Sequence, residues 1–118
     1  MFSIIKYITT FVCILILSNG CRQPVIPTEE DLAGYGWTLY EQGEYQEARE
    51  WFYDAVDKDS SYADGFNGIG WCFGKLRQAD SAAAYFHISQ TKPFDPYDTP
   101  DLDLDLYAGL TFAYSGMH

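Results

Sequence analysis

The residues between Glu29 and Thr91 repeat one pattern at a constant interval of about 34 residues. Each copy has a glycine preceded by an apolar residue, an apolar residue three positions later, and then an Ala-x-x-x-Phe group. The matching positions are Gly36 and Gly70, Leu39 and Phe73, Ala48 and Ala82, and Phe52 and Phe86. A constant interval of this length is typical of helical repeats, in which each unit packs on the next. The spacing therefore constrains the fold more strongly than composition does.

The pattern resembles the helix–turn–helix unit of the tetratricopeptide repeat family. The resemblance covers residues 29–62 and 63–96 as two repeats. A loop at 97–101 then leads to a partial third repeat at 102–118, in which Gly109 matches Gly70. The resemblance implies an all-α fold in which antiparallel helical hairpins stack as a short right-handed solenoid. An N-terminal signal helix is expected to precede it. Two unrelated hairpins that share the interval by chance are the alternative.

Helical periodicity supports the first repeat. Apolar residues recur there at three- and four-residue steps, which places them on one face of a helix predicted over residues 29–42. A second helix is predicted over residues 45–58. The residues expected to share the inward face of the first helix are Leu32, Tyr35, Gly36 and Leu39.

The turns between paired helices differ between the two repeats. Gly43 lies where the first turn is predicted, and glycine commonly ends a helix. Arg77 stands at the matching position of the second repeat. The second turn is therefore expected to be the weaker one.

Residues 1–20 have the composition of an export signal. Lys6 lies in a short positively charged region, residues 7–17 are apolar, and Ser18-Asn19-Gly20 precedes Cys21. An apolar stretch of this length is shorter than a membrane-spanning helix needs. An ordinary secretory signal and an uncleaved anchor are two interpretations of this segment.

A third interpretation comes from the resemblance of residues 1–20 to a bacterial lipoprotein signal peptide, in which a cysteine after a small residue receives the lipid. The resemblance implies that Cys21 is acylated, for example with palmitate, and becomes the N-terminus. Residues 21–28, with Pro24 and Pro27, are then a short tether. The expected location is the bacterial envelope, with an exported, membrane-anchored protein facing the periplasm or the outer membrane.

The charge of the chain restricts its partners. The formal net charge is −10, and loss of residues 1–20 removes one charged residue, Lys6. Phosphate binding requires clustered Lys and Arg, so nucleic acid is not an expected partner. We expect other proteins or peptides, neutral or basic in character, with membrane contact through the lipid at Cys21.

The sequence contains no motif that predicts catalysis. Cys72 and His87 fall on different predicted helices, and a buried cysteine is more often a packing residue than a nucleophile. Five aspartates between Asp95 and Asp105 lack the mid-loop glycine and closing glutamate of a helix–loop–helix calcium site. A solvated acidic loop before a helix N-terminus is favoured. We therefore expect no enzyme activity, cofactor or metal.

The first helices of the repeats line the concave surface in the family, so their side chains are candidates for binding a partner. Trp37 and Trp71 occupy equivalent places there, and exposed tryptophan is a common interface anchor. The alternative is that both tryptophans pack between helices. The predicted groove residues are Trp37, Tyr40, Asn67, Trp71, Lys75, Leu110 and Tyr114.

The expected function is a protein-interaction scaffold of the cell envelope, and a structural spacer without a peptide groove is the alternative. The partial third repeat has no second helix, and residues 102–112 are apolar on more than one side. Since a repeat cannot bury its apolar face alone, we also expect a fragment of a longer repeat protein. The competing interpretation is a complete chain whose last helix is covered by another subunit.

Overall fold

The computed structural model describes residues 2–8 and 23–117, and these residues form helices joined by turns, without β-strands. Cys21 and most of the apolar signal core lie outside the described residues. None of the described helices has the combination of length and hydropathy that crossing a membrane requires. The helices are α1 (residues 2–8), α2 (Glu29–Glu41), α3 (Tyr45–Lys58), α4 (Ala63–Lys75), α5 (Ala79–Gln90) and α6 (Leu102–Gly116).

A capping box fixes the start of α2. The backbone N–H of Asp31 donates to Thr28 Oγ1 at 3.2 Å, and the backbone N–H of Thr28 donates to Asp31 Oδ2 at 2.9 Å. The two bonds satisfy donors that the first turn of a helix leaves unpaired. The backbone hydrogen bond from Thr28 also holds the pKa of Asp31 below its ordinary value.

The helices from α2 to α6 form two layers. Helices α2 and α3 pack as one hairpin and α4 and α5 as a second, while α6 packs on α5. Helix α4 also contacts α2 on one side and α6 on the other, so these three helices form one layer and α3 and α5 the other. We call the surface that α2, α4 and α6 share the three-helix face.

Phe52 on α3 joins the first hairpin to the helix that follows it. Its side chain is fully buried. A Cβ atom added to Gly36 on α2 would lie 2.9 Å from the Phe52 ring, and one added to Gly68 on α4 would lie 2.4 Å from it. Both distances are shorter than a carbon–carbon contact allows, so glycine at these two positions lets both helices approach the ring.

Phe86 on α5 packs in the same way between α4 and α6. A Cβ atom on Gly70 would lie 2.6 Å from its ring, and one on Gly109 would lie 2.4 Å away. Gly70 therefore makes the contact that Gly36 makes in the first layer, and Gly109 makes the contact of Gly68. The match of Gly109 with Gly70 is wrong, because Gly68 is its structural equivalent.

Helix α4 itself explains why the pattern permitted the wrong match. It contains a glycine followed by an aromatic residue three positions later in two overlapping copies, Gly68-x-x-Trp71 and Gly70-x-x-Phe73. Gly109-x-x-Phe112 on α6 fits either copy by sequence. Gly68 contacts the Phe52 ring as Gly109 contacts the Phe86 ring, so Gly109-x-x-Phe112 corresponds to the first copy, Gly68-x-x-Trp71.

The interval between Gly68 and Gly109 is longer than the one between Gly36 and Gly70 because of one connection. Residues 91–101 join α5 to α6, whereas residues 59–62 join α3 to α4, so the second connection is seven residues longer. The constant interval of the first two units therefore does not extend to α6.

Tyr35 departs from the inward face on which the periodicity placed it. Its side chain is 60% exposed, whereas Ile69, the equivalent residue of α4, is fully buried. The reason is that α3 covers this side of α4, while no helix among residues 23–117 covers the same side of α2. The Tyr35 ring stacks on Trp51 instead, with ring centroids 5.0 Å apart.

The turns of the two hairpins have the same hydrogen bonds and the same backbone conformation. Gly43 has a φ of 83° and Arg77 a φ of 60°. Each donates its backbone N–H to the carbonyl three residues earlier, Tyr40 or Gly74, at 3.0 and 3.1 Å. The second turn thus keeps a left-handed conformation although its residue has a Cβ atom, and that conformation is strained for any residue except glycine.

We expect Arg77→Gly to raise the free energy of unfolding by about 0.5–1 kcal/mol, because the left-handed backbone then carries no Cβ strain. Urea unfolding followed by circular dichroism would measure the change. The matched control is Gly43→Arg, which introduces the same strain into the first turn and should lower stability. A neutral or destabilising effect of Arg77→Gly would contradict this account.

Candidate functional site

A row of aromatic side chains runs along the three-helix face. Trp37 on α2 is half-buried, with its ring edge-on to Phe52 at 4.9 Å and to Tyr40 at 5.4 Å. Trp71 on α4 is also half-buried and meets Phe86 in the same geometry, with centroids 5.6 Å apart. Each tryptophan thus covers a buried phenylalanine with one part of its ring and leaves another part in solvent.

Phe112 extends this row onto α6. Its ring stacks on Trp71 with a centroid distance of 6.2 Å and an interplanar angle of 23°, and its side chain is 45% exposed. Phe112 is the structural equivalent of Trp71, because each follows its contact glycine, Gly109 or Gly68, by three positions. Sequence reasoning missed Phe112 as a site residue because it matched this ring with Phe73. The contact glycines are the signal that would have found it.

Leu110 and Tyr114, the two α6 residues predicted for the groove, lie elsewhere. Leu110 is 8% exposed and belongs to the core around Phe86. Tyr114 points its hydroxyl at His87 Nε2 on α5, at 2.7 Å. Phe112, rather than either of them, is the α6 side chain that stacks on Trp71.

Asp64 on α4 is held by two neighbours on the three-helix face. Trp37 Nε1 donates to its Oδ2 at 2.8 Å, and Asn67 Nδ2 donates to its Oδ1 at 3.2 Å. Asn67 is fully buried, and its Oδ1 accepts no hydrogen bond. Asn67, which was predicted to line the groove, is instead buried beneath the surface, where it positions the Asp64 carboxylate. Lys75, the other polar residue predicted on α4, is exposed.

Asp105 on α6 lies close to the same group. Burial raises the pKa of its carboxyl, and the negative charges of Asp64 and Asp101 raise it further. A side-chain hydrogen bond from Asn67 acts in the opposite direction. Asn67 thus donates to Asp64, and the charges of Asp64 and Asp105, which lie on different helices, repel each other.

Two adjoining cavities open at this end of the three-helix face. The larger has a volume of about 460 Å³ and the smaller about 160 Å³, and Asp64 and Thr99 line both. No basic side chain among the described residues lines either cavity. We call the pair the acidic cavity; its carboxylates are Glu29, Glu30, Asp59, Asp64, Asp95 and Asp98 in the larger part, and Asp64, Asp101 and Asp105 in the smaller.

Tyr62 reports the electrostatic character of the larger cavity. It lines that cavity and is half-buried. Burial raises the pKa of its hydroxyl, and the charges of Asp64, Glu30, Glu29 and Asp98 raise it further. The field inside the cavity therefore disfavours any additional negative charge.

Cys72 and His87 are not brought together. Cys72 is fully buried in the core around Phe52, and burial raises the pKa of its thiol to about 12. A thiol in this state is a poor nucleophile. His87 is exposed on α5, where it contacts Tyr114 and Gln90. Within the described ranges, no group of three or more His, Cys, Asp or Glu has an arrangement that would hold a metal ion.

Comparison of the chain with protein-family models, with curated proteins and with solved structures gave no match.

Asp105→Asn should stabilise the protein at neutral pH, because it removes a carboxylate whose charged form is disfavoured by partial desolvation and by the charge of Asp64, although the side chain is exposed. A carboxyl with a raised folded-state pKa loses stability as the pH rises through that pKa. The variant should therefore melt about 1–3 °C higher at pH 7. The difference should vanish below about pH 3, where the carboxyl is protonated in both the folded and the unfolded chain.

Melting curves between these pH values would measure the effect, with Asp103→Asn as the control. Asp103 and Asp105 are both exposed in the first turn of α6, but only Asp105 lines the acidic cavity. An equal gain in both variants would assign the effect to general charge and not to the cavity.

Proposed function

We propose that the chain is a tetratricopeptide-repeat lipoprotein of the bacterial envelope and that it binds other proteins on the three-helix face. The constant interval of the first two units and the layering of α2, α4 and α6 on α3 and α5 support the repeat assignment. The placing of Phe52 and Phe86 between pairs of glycines supports it further. Under this proposal the layers stack as a right-handed solenoid, with the three-helix face concave.

The observation that carries the binding proposal is the row of partly exposed aromatic rings. Trp37, Tyr40, Trp71 and Phe112 lie on the three helices of one face. Tryptophan and tyrosine side chains supply most of the affinity at many protein interfaces, because a large rigid area is buried at low entropic cost. An extended peptide that crosses the three helices would meet these rings in sequence.

A spacer segment without a peptide groove is the second candidate. The observation that favours it is the packing of Trp37 and Trp71 against buried phenylalanines, since part of each ring already has a structural role. Under this proposal the face is covered by a neighbouring part of an assembly and holds no separate peptide.

The membrane anchor is proposed from the sequence alone, since Cys21 is outside the described residues. Residues 23–28, which follow it, are exposed and have no regular structure, which suits a tether.

Cys21→Ala should abolish acylation and move the protein from the membrane fraction to the soluble fraction, because the thioether to the lipid can no longer form. Incorporation of labelled palmitate and fractionation of the envelope would measure both effects. Cys72→Ala is the control, because the Cys72 side chain is buried in the domain. Undiminished labelling of the Cys21→Ala variant would refute the anchor.

Phe112→Ala should weaken capture of a partner by about tenfold while the protein stays folded, because the ring is about half exposed and belongs to the aromatic row. The matched control is Tyr35→Ala. Tyr35 is also an exposed aromatic ring stacked on a tryptophan, but that tryptophan is Trp51 on α3, outside the three-helix face. The comparison is more informative than alanine at Trp37 or Trp71, whose loss would also unpack a buried phenylalanine.

The measurement is a pull-down from solubilised envelope with the wild type and both variants, followed by affinity measurement for the protein recovered. Loss with Phe112→Ala and retention with Tyr35→Ala would support binding on the three-helix face. If the wild type and both variants recover the same amount of partner, binding on the three-helix face is refuted and the spacer segment is the remaining candidate.

A further inference from the structure

Two basic side chains lie over phenylalanine rings on one side of α4. The guanidinium carbon of Arg49, on α3, is 4.8 Å from the centroid of the Phe73 ring. Nζ of Lys92, which follows the end of α5, is 5.1 Å from the centroid of the Phe66 ring. Phe66 and Phe73 are two helical turns apart, so both rings are on the same side of α4, about 10 Å apart along its axis. We call the two cations and the two rings the cationic strip.

Neither cation has a carboxylate partner at hydrogen-bonding distance. Glu50 Oε1 is 3.9 Å from Arg49 Nη2, which is longer than a hydrogen bond. Adjacent residues of a helix point to different sides, and the Glu50 side chain is 68% exposed. Lys92 forms no ion pair with any residue in the ranges 2–8 and 23–117. The strip therefore keeps two positive charges in a chain whose formal net charge is −10.

The guanidinium of Arg49 has donors left for a ligand. Its Nε is buried and has no acceptor among the described residues. Nη1 and Nη2 are not buried, and the side chain keeps 22% of its surface in solvent. Beside the guanidinium, the hydroxyls of Tyr53 and Tyr85 lie 3.5 Å apart, so one donates to the other and the second keeps a free proton. This end of the strip thus places N–H and O–H donors close together.

A carboxylate supplies the acceptor that the strip lacks. Its two oxygens accept only, and they match the paired N–H groups of a guanidinium. Contact with the rings holds both cations in place before binding, so little side-chain entropy is lost when a ligand arrives. At an ionic strength of about 0.15 M the Debye length is about 8 Å, so acidic residues farther away than this repel a carboxylate only weakly. The local pair of cations therefore decides the binding.

We propose that the cationic strip is a second interaction surface, which binds a protein segment with two acidic side chains, one paired with Arg49 and the other with Lys92. Arg49 holds the first carboxylate in a bidentate pair, and the ammonium of Lys92 attracts the second as a point charge. The strip lies on the side of α4 that faces α3 and α5, and it shares no residue with the aromatic row of the three-helix face. Binding on the strip is therefore independent of binding on that face.

The test is an NMR titration of the ¹⁵N-labelled full-length chain in non-ionic detergent micelles with two peptides. One probe is acetyl-Ala-Glu-Ala-Ala-Glu-Ala-amide, and its twin has glutamine in place of both glutamates. The glutamate peptide should shift the Nε–H signal of Arg49 and the backbone signals of Arg49 and Lys92 in a saturable way. The glutamine peptide should leave these signals in place.

The variants for this test remove one cation at a time. Arg49→Gln should weaken binding of the glutamate peptide by about tenfold, and Lys92→Gln by about threefold, because a lysine forms no bidentate pair. The matched control is Lys58→Gln, which removes the same charge from an exposed position of α3. The control should bind within about twofold of the wild type.

Three results would overturn the proposal. They are an Arg49 Nε–H signal that the glutamate peptide leaves unshifted, an equal loss of affinity in Arg49→Gln and Lys58→Gln, and sodium phosphate alone producing the same saturable shifts and displacing the peptide. The first and third are read on the wild-type protein, even where Arg49→Gln is unstable. Partner capture by the three-helix face is measured separately with Phe112→Ala, so either proposal can fail while the other stands.

Discussion

Close packing of a buried phenylalanine ring against two glycines is the constraint on which the rest of the structure depends. Phe52 needs Gly36 and Gly68, because a Cβ atom at either position would overlap its ring. The ring in turn sets the distance between one hairpin and the next helix. Interiors packed at this density transmit a change of one carbon atom to the neighbouring elements. The cost of glycine in a helix, about 1 kcal/mol relative to alanine, is offset by this packing.

The same constraint decides what the three-helix face presents. Once Gly109 is fixed on the Phe86 ring, Phe112 comes next to Trp71, one helical turn further along the same side of α6. Leu110 then turns into the core. The aromatic row is therefore a consequence of core packing, and substitutions at the glycines are expected to disturb it before they disturb helix content.

The electrostatics of the acidic cavity follow from the connections between helices. The longer α5–α6 connection brings Asp95 and Asp98 opposite Glu29 and Glu30 at the start of α2. Acidic residues in the first turn of a helix are favourable locally, because they meet the positive end of the helix dipole. Several such turns on one side of the domain add their charges. Each helix is thus stabilised locally while the cavity as a whole accumulates negative charge.

The amino-acid sequence by itself determined the helices and the interval of the first two units. The α2 helix was predicted over residues 29–42 and is Glu29–Glu41. The difference between the two turns was also read from the sequence, since Arg77 stands where the first turn has Gly43, and both residues have a positive φ. These features depend on neighbours along the chain, which periodicity and turn chemistry describe. Only the tertiary structure decided the register of α6, the exposure of Tyr35 and the meeting of carboxylates from five segments. The reason is that α4 offers two equivalent glycine–aromatic spacings, between which only contact with a buried ring chooses, and that cavity walls are built from residues far apart in sequence.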